Sequence, residues 1–422
     1  MQVLVSSEER FSRTPDGRVW SSDTGSYSFW TRYLSVFDHV RVLARVAPVR
    51  EAPAVSQRAD GQGVSFEVLP YYVGPVGYAR NYFPLKAAVR IALLKTNAVI
   101  LRAASPIANC ARSELDAGRP FGVEVLGDPY EVFAPGSISH PMRPALRYVI
   151  TKQLKRQCQQ ACAVAYVSGG SLVRRYPSQR SAFTTTYSSI AVQDSAFAAL
   201  PRTFSSPVQP LRIVSIGTLA VPYKGFDVLI DAVSACAKDR MGIQLVIVGE
   251  GRCRESLKRH AQNCGVEQIV QFTGRVSAGE GVRDQLDRAD LFVLASKTEG
   301  LPRAMIEAMA RGLPCIGSAV GGIPDLLGPE ELFPRGDAKS LARKIREVCL
   351  DPERMTRLSA ENLAKAREYH DSILSSRRRQ FFAHVRDATW RWSQAHPRGA
   401  FDRGRTSENC SENETTRAVA SR

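Results

Sequence analysis

The sequence predicts an α/β protein with two doubly wound, Rossmann-like domains that face each other across a cleft. The chain has 422 residues, which favours two domains over one. Near-continuous apolar segments of strand length alternate with helical segments, as is typical of parallel sheets covered by helices on both faces. A stretch rich in Pro and Ser, AALPRTFSSPVQP at residues 198–210, separates the two halves and marks the linker.

The first half contains six strand candidates: QVLVSS, HVRVLARV, VSFEVLP, AVILRAA, FGVEVLG and AVAYVSG. We expect the polar segment RFSRTPDGRVW, which follows the first candidate, to be a loop. The next segment, DTGSYSFWTRYL, carries four aromatic side chains, Tyr27, Phe29, Trp30 and Tyr33. Aromatic residues at this density favour a place in the core, and stacking on a sugar or lipid is the alternative.

The second half is more regular. Its strand candidates are LRIVSIG, IQLVIVG, QIVQFTG, LFVLAS and PCIGS, and FDVLIDAVSACA, RESLKRHAQNCG, GVRDQLDRA and RAMIEAMARG are the helices between them. The polar composition of the last stretch predicts disorder. We therefore predict an N-terminal domain at residues 1–200, a C-terminal domain at 201–372, a C-terminal helix at 373–396 and a disordered tail at 397–422.

Charge and cysteine usage limit the possible partners and compartments. The net charge of +16 and the pI near 9.7 favour an anionic partner, which could be a nucleic acid, a phosphorylated small molecule or a membrane surface. A diffusely basic surface without a single partner is the alternative. The nine cysteines are scattered without zinc-finger spacing, so we expect reduced thiols and a cytoplasmic chain. We expect no signal peptide and no membrane span.

Glycine-rich turns follow the strands of the second half. Each turn comes directly after a predicted strand, and the four are Gly217–Thr218, Gly249–Gly251, Gly274–Val276 and Ser296–Gly300. The carboxyl ends of parallel strands share one edge of the sheet, where ligands bind. Glycine allows the backbone to approach a ligand closely at that edge. We therefore expect these turns to surround one binding site.

The stretch TEGLPRAMIEAM places Glu299 in such a turn and Glu307 inside the following helix. With Pro302 as the first helical residue, the turn would direct free N–H groups toward a diphosphate, and Lys224 would add a positive charge. Carboxylates accept paired hydrogen bonds from vicinal diols such as those of sugars and ribose. The alternative is an ordinary i, i+4 pair of Arg303 with Glu307 and a loop charge at Glu299. The combined features favour a nucleoside-diphosphate-sugar site.

The segment EGLPRAMIEAMARGLPCIGSAVGGIPDLL resembles the E-x7-E signature of the family-four retaining glycosyltransferases, which have the GT-B fold. VSIGTLAVPYKGFDVLIDAV, LVIVGEGRCRESL and VQFTGRV precede it at the intervals of that family, so the resemblance covers residues 211 to about 350. It implies that Glu299 contacts the donor sugar, Glu307 the ribose hydroxyls and Lys224 the diphosphate. The further donor-binding residues that it implies are Gly217, Thr218, Gly249, Gly251, Val276, Gly300 and Leu301.

The chain departs from the family pattern at two places. Thr218 stands where the family usually carries an arginine, so more of the phosphate charge would fall on Lys224. Gly127–Asp128 stands where many relatives have a His-Asp pair. We keep Asp128 as a candidate catalytic contact, and a turn-initiating Asp before Pro129 is an equal alternative.

The resemblance implies a retaining glycosyltransferase that needs neither a metal ion nor a cofactor and uses a nucleoside-diphosphate sugar as donor. We expect its acceptor to be a lipid-linked glycan in the biosynthesis of a surface polysaccharide, such as an exopolysaccharide or lipopolysaccharide. The alternatives are a sugar-nucleotide epimerase of the same fold and, from another class, a basic nucleic-acid-binding protein. We do not expect nucleic acid as the partner.

Two further segments bear on membrane attachment and domain packing. MRPALRYVITKQLKRQCQQA, residues 142–161, predicts a basic amphipathic helix with Leu146, Val149, Ile150, Leu154 and Ala161 on one arc and Arg147, Lys152, Lys155 and Arg156 on the other. It suits an anionic membrane surface, and an ordinary domain helix is the alternative. In the family a C-terminal helix crosses back to the N-terminal domain. Phe381, Phe382, Trp390 and Trp392 would anchor such a helix here.

Overall fold

Two separate sheets organise the chain in the computed structural model, which describes residues 1–134, 141–190 and 192–396. The predicted tail at 397–422 lies outside the described residues. All eight cysteines in the described ranges are free thiols. None of the helices in these ranges combines the length and the apolar character needed to cross a bilayer.

The first sheet has nine strands: β1 Gln2–Arg13, β2 Val19–Ser21, β3 His39–Pro48, β4 Gln57–Arg58, β5 Val64–Leu69, β6 Ala98–Ala103, β7 Gly122–Val125, β8 Ala163–Tyr166 and β9 Phe183–Thr186. Seven of them form a parallel sheet in the order β5-β3-β1-β6-β7-β8-β9. The short strand β2 pairs antiparallel with the far half of β1, and β4 pairs antiparallel with β2.

This β1–β2 pairing corrects the loop expected for RFSRTPDGRVW. Phe11 lies opposite Ser21 in the hairpin, and Phe11 and Val19 are both buried in the core. The segment has few hydrophobic residues. The two that are buried are enough to hold the hairpin on the core, because the polar side chains between them face solvent. The segment is therefore a half-buried ribbon with a turn at its tip.

The helices of the N-terminal part are α1 Tyr27–Trp30, α2 Gly74–Arg80, α3 Tyr82–Leu94, α4 Pro106–Glu114, α5 Pro129–Val132, α6 Arg143–Gln160 and α7 Ser171–Arg175. Helices α3, α4 and α6 share one buried cluster with the sheet and therefore lie on the same face of it. On the other face, Trp30 and Tyr33 are buried in the core, as the aromatic density predicted.

The second sheet has six strands: β10 Leu211–Ile216, β11 Ile243–Val248, β12 Val270–Gly274, β13 Leu291–Leu294, β14 Cys315–Ser318 and β15 Leu332–Phe333. They are parallel in the order β12-β11-β10-β13-β14-β15, so the direction of winding reverses between β10 and β13. Doubly wound sheets bind ligands at such a switch point. The helices around it are α8 Phe226–Lys238, α9 Arg254–Asn263, α10 Glu280–Asp287, α11 Arg303–Ala310, α12 Ala338–Cys349 and α13 Pro352–Arg367.

The last helix, α14 Asp371–Ala395, returns to the first sheet and covers the face opposite α3, α4 and α6. Phe381, Phe382 and Val385 pack there against Tyr33 and the strands. Trp390 does not anchor this helix as expected, because its side chain is 57% exposed. The buried positions recur every four residues, and Trp390 projects from another side of the helix. Trp392 is only partly buried.

Candidate functional site

The glycine turns of the second sheet gather at one edge, where they line an open cavity of about 470 Å³. Gly217 and Thr218 follow β10, the turn Gly249–Gly251 follows β11, and Val276 follows β12. The cavity is therefore bounded by the turns that follow three neighbouring strands, and Glu250 and Arg275 add charged side chains to its lining. A pocket of this size and lining can take a flat ring and its attached phosphates.

Two of these glycines have a steric reason to be glycine. The backbone of Gly249 has φ +152°, and a Cβ there would collide with the carbonyl oxygen of Gly217. Gly251 has φ +155°, and a Cβ there would collide with the backbone of Leu219 and Ala220. The β10 and β11 turns are thus in direct backbone contact, which only glycine allows at these two positions.

Lys224 and Glu299 meet beside this cavity. The Lys224 Nζ donates to Glu299 Oε1 at 2.5 Å, and the Ser296 hydroxyl donates to the same oxygen at 2.6 Å. The Glu299 side chain is only 8% exposed. Because Lys224 ends a 3₁₀ turn after β10 and Glu299 follows β13, the switch point itself brings the two charges together. A diphosphate entering the site would compete with Glu299 for the lysine.

The turn that follows Glu299 is held between the two domains. An added Cβ on Gly300 would lie 2.9 Å from the carbonyl oxygen of Leu126, which belongs to the first sheet's edge. The Gly322 N–H donates to the Gly300 carbonyl at 2.7 Å. The Leu301 side chain is buried, so this residue can offer only its backbone to a ligand.

One detail of this turn differs from the expectation. Pro302 is the residue before the helix and not its first helical residue, since its ψ of 108° is extended and α11 begins at Arg303. The helix N-terminus still follows the Glu299 turn directly. An anion placed there would benefit from the positive end of the helix dipole.

Glu307 lies four residues into α11, half-buried against a smaller cavity of about 160 Å³. Val282 lines both this cavity and the larger one, so the two adjoin. Burial raises the pKa of Glu307, and the charge of Arg303 only partly opposes it. Among the ion pairs of the described residues, none joins Arg303 to Glu307, so the i, i+4 contact considered from the sequence is not formed. Glu307 keeps a carboxylate available for a ligand hydroxyl.

Asp128 follows the end of β7, and both of its carboxylate oxygens already have partners within the protein. It caps α5 by accepting from the Tyr130 N–H at 3.0 Å, and the Tyr176 hydroxyl donates to the same oxygen at 2.6 Å. Its other oxygen pairs with Arg175. The geometry favours the turn and capping role over contact with substrate, and the catalytic role remains a prediction.

Sequence reasoning missed the groups that connect the two domains. The Gly170 N–H donates to Asp325 Oδ2 at 3.0 Å, and Arg335 Nη1 lies 3.9 Å from Glu131 Oε2. The sequence placed Ser296 in the Glu299 turn, but it did not predict the hydrogen bond that Ser296 donates to Glu299. A polar residue at the end of the apolar strand LFVLA is the signal that could have identified it.

Residues 199–365 match the family model "Glycosyl transferases group 1". Protein CapJ of Staphylococcus aureus is 26% identical over 333 residues, which cover 78% of this chain and 82% of CapJ. The putative colanic acid biosynthesis glycosyltransferase WcaL of Escherichia coli K12 is 32% identical over 154 residues, which cover 34% of this chain and 37% of WcaL. The chain therefore spans little more than a third of WcaL.

The fold is also found among solved structures. HepE of Anabaena, whose structure was determined in complex with UDP-glucose, aligns with 92% of this chain and 100% of its own at a TM-score of 0.61 and 17% identity. This likeness covers both domains and confirms the predicted GT-B fold. Residues 199–365 therefore match the glycosyl transferases group 1 family, and the chain has the GT-B fold.

Proposed function

We propose that this protein transfers a sugar from a nucleoside-diphosphate sugar to a glycan acceptor in polysaccharide biosynthesis. The observation that carries the proposal is the contact of Lys224 with Glu299 at the switch point, next to a glycine-lined cavity of about 470 Å³. The similarity to CapJ and WcaL and the UDP-glucose bound by HepE support it.

In the proposed reaction, each group of the site has a separate task. The cavity at Gly249–Gly251 and Val276 takes the nucleoside, Glu307 accepts from the ribose hydroxyls, and Glu299, positioned by Ser296, contacts the donor sugar. Lys224 and the N-terminus of α11 stabilise the departing diphosphate, because preorganised positive charge is most effective where negative charge develops. Transfer proceeds with retention and needs no metal ion for this charge.

The acceptor side of the proposal rests on the surface of the N-terminal domain. Helix α6 carries five basic residues and α3 carries two, and neither helix contains an acidic residue. Large apolar side chains on the same two helices are exposed, namely Phe83, Ile91, Leu94, Tyr148 and Val149. Helices α3, α4 and α6 lie on the same face of the sheet, and Glu114 of α4 pairs with Lys86 of α3. The other basic residues and the exposed apolar side chains make this face suit anionic lipid and a lipid-linked acceptor.

The structure alters the predicted division of α6 into two arcs. Leu154 is buried in the core, whereas Leu146 and Ile150 are partly covered and Val149 is exposed. The apolar side chains in the C-terminal half of the helix therefore pack in the domain core, as expected for an ordinary domain helix. The N-terminal half leaves apolar surface for another partner.

Nucleotide release without acceptor tests the enzymatic proposal. UDP-, GDP- and ADP-sugars are supplied singly, and release of one nucleoside diphosphate supports a transferase. Interconversion of the sugar without release would indicate an epimerase, and salt-sensitive RNA binding with neither activity would indicate a nucleic-acid-binding protein. The Glu299→Gln protein is the control for contaminating hydrolases, because it should release nothing.

Co-sedimentation with lipid vesicles tests the membrane surface. We expect binding to vesicles with anionic lipid at low salt and a clear loss when Lys152, Lys155 and Arg156 are changed to Gln, since each basic residue near the surface contributes about 1 kcal/mol. The matched control changes Lys339, Arg343 and Arg357 to Gln. These residues are exposed on the other domain, so their substitution removes the same amount of charge from a different surface. Equal losses in both variants would show that the net charge, and not α6, controls the binding.

A further inference from the structure

Three side chains with metal-binding atoms meet on the C-terminal domain, outside the candidate donor site. They are Asp231 of α8, His260 of α9 and Cys264, which directly follows α9. Asp231 Oδ1 lies 2.7 Å from His260 Nε2 and 3.5 Å from Cys264 Sγ, and the Sγ lies 3.9 Å from Nε2. One oxygen, one nitrogen and one sulfur atom thus lie close enough together to surround a single ion.

The local structure explains why these side chains converge. His260 and Cys264 are four residues apart, so they lie on the same side of the helix and its last turn. Asp231 and Ser234 share a face of α8, and the Ser234 hydroxyl donates to the Cys264 carbonyl at 3.1 Å. This hydrogen bond fixes the end of α9 against α8 with the thiol facing Asp231. All three side chains are partly exposed, so an ion could reach them from solvent.

The distances are close to those of a tetrahedral zinc site. Zinc binds thiolate sulfur at about 2.3 Å and imidazole nitrogen or carboxylate oxygen at about 2.0 Å. Tetrahedral angles then place the ligand atoms about 3.3–3.6 Å apart. The two distances from Cys264 already fall within about 0.3 Å of this range, and the distance between Asp231 and His260 has to lengthen by about 0.6 Å. A rotation of the Asp231 carboxylate can supply that change.

We propose that Asp231, His260 and Cys264 bind a zinc ion, with water as the fourth ligand. The sulfur, nitrogen and oxygen donors are those that zinc accepts, whereas Mg²⁺ and Ca²⁺ prefer oxygen alone. Binding requires the thiolate and an unprotonated Nε2, so the thiol proton leaves to solvent. The Nε2 proton that His260 donates to Asp231 leaves to solvent if the imidazole is protonated, and moves to Nδ1 if the imidazole is neutral.

The ion would have a structural role, because it joins the two helices that follow the ligand-binding turns. Helix α8 begins directly after Lys224 and Gly225, and α9 begins shortly after Gly249–Gly251. A metal bridge between them would reduce the relative motion of those turns. The site is separate from Glu299 and Glu307, so this inference does not depend on the proposed sugar transfer.

Cobalt is the probe for this site, because thiolate-bound Co²⁺ absorbs by charge transfer from sulfur. Titration of the metal-free, full-length protein with CoCl₂ under reducing conditions should give this band at one equivalent, and ZnCl₂ should abolish it. Cys264→Ser should lose the band, and His260→Gln or Asp231→Asn should weaken binding by about tenfold or more. Cys253→Ser is the matched control, since Cys253 is a partly exposed free thiol at the other end of α9.

Thermal unfolding provides a second measurement that needs no chromophore. ZnCl₂ at about a hundredfold excess over its Kd should raise the unfolding temperature of the wild type by about 5 °C or more, and it should not raise that of Cys264→Ser. Unfolding of both proteins in EDTA shows whether the variant is folded. The absence of a charge-transfer band in the wild type, or a band that survives Cys264→Ser, would overturn the proposal.

Discussion

At the scale of single residues, the contact between Lys224 and Glu299 connects the sequence motif to the chemistry. Both side chains are largely buried, and in the donor-free protein each neutralises the other. Removing one partner would leave the other charge buried and unpaired, which is costly. Under the proposed function, the diphosphate would replace Glu299 as the anion that contacts this lysine.

We expect Glu299→Gln to abolish donor turnover. The protein should still fold, because the amide keeps the size of the side chain, but its unfolding temperature should fall because Lys224 loses its countercharge. Lys224→Ala should reduce turnover by about 10²-fold or more and also weaken donor binding, since it removes a preorganised charge. Turnover and the unfolding temperature are measured together. Lys258→Ala, which breaks the surface pair with Glu255, should change neither. Wild-type turnover in Glu299→Gln would exclude the assigned role.

The raised pKa of Glu307 leads to a prediction about pH. The carboxylate form accepts from ribose hydroxyls, so nucleotide affinity should fall with decreasing pH as Glu307 takes up a proton. The fall should begin at a higher pH than for a glutamate with the usual pKa of 4.5, because burial raises the value. Calorimetric titration with a nucleoside diphosphate at a series of pH values measures this.

The nucleotide's own phosphate also takes up a proton as the pH falls, and Glu307→Gln is the control for this effect. The variant should bind the nucleoside diphosphate about 1–3 kcal/mol more weakly at neutral pH. Its affinity should also lack the part of the pH dependence that comes from Glu307. Parallel curves for the two proteins would show that another group causes the effect.

The sequence predicted Glu299, Glu307 and Lys224 as site residues because strand ends, glycine turns and short spacings are visible along the chain. It could not identify partners from distant segments. Buried Glu124, for example, accepts from the hydroxyls of Tyr33 at 2.8 Å and Tyr187 at 2.7 Å, although these residues are 91 and 63 positions away. The occupied oxygens of Asp128 are a second case, since Tyr176 reaches it from 48 positions away. Such contacts depend on tertiary packing alone.

At the scale of elements, five of the six strands of the second sheet were predicted because most of their residues are apolar, whereas β15, with only two residues, was not predicted. All four residues of β13 are buried, which makes such a strand conspicuous in the sequence. The β1–β2 hairpin was missed because only part of it is apolar. For α14, the sequence suggested the aromatic anchors but not which of them face the sheet, because several sides of this helix carry aromatic residues.

The two kinds of aromatic residue on α14 give a matched pair of variants. Phe382→Ala should lower the free energy of unfolding by about 3–5 kcal/mol, because the ring is buried and stacks on Tyr33 with centroids 4.5 Å apart. Trp390→Ala should change it by about 0.5 kcal/mol or less, because Trp390 is exposed. Urea unfolding followed by circular dichroism measures both. Equal effects would show that α14 is held by contacts other than this buried face.

At the scale of the whole molecule, the candidate donor site depends on the approach of the two domains. The Glu299 turn meets the first sheet at Leu126, and Asp325 of the second domain accepts from Gly170 of the first. Closing a cleft over a donor excludes water and limits its hydrolysis. The contacts across the cleft should therefore affect the rate of transfer more than the binding of the nucleotide, whose pocket is lined by the second domain.

Asp325 offers a direct test of this separation. Asp325→Ala removes the acceptor of the Gly170 N–H, so we expect slower transfer with nearly unchanged nucleotide affinity. Asp325→Asn keeps an oxygen that can accept the same hydrogen bond and should retain most of the rate. Small-angle scattering should show a larger radius of gyration for the Ala variant and not for the Asn variant, because the open arrangement becomes more populated. A loss of nucleotide affinity as large as the loss of rate would place Asp325 in donor binding and not in domain closure.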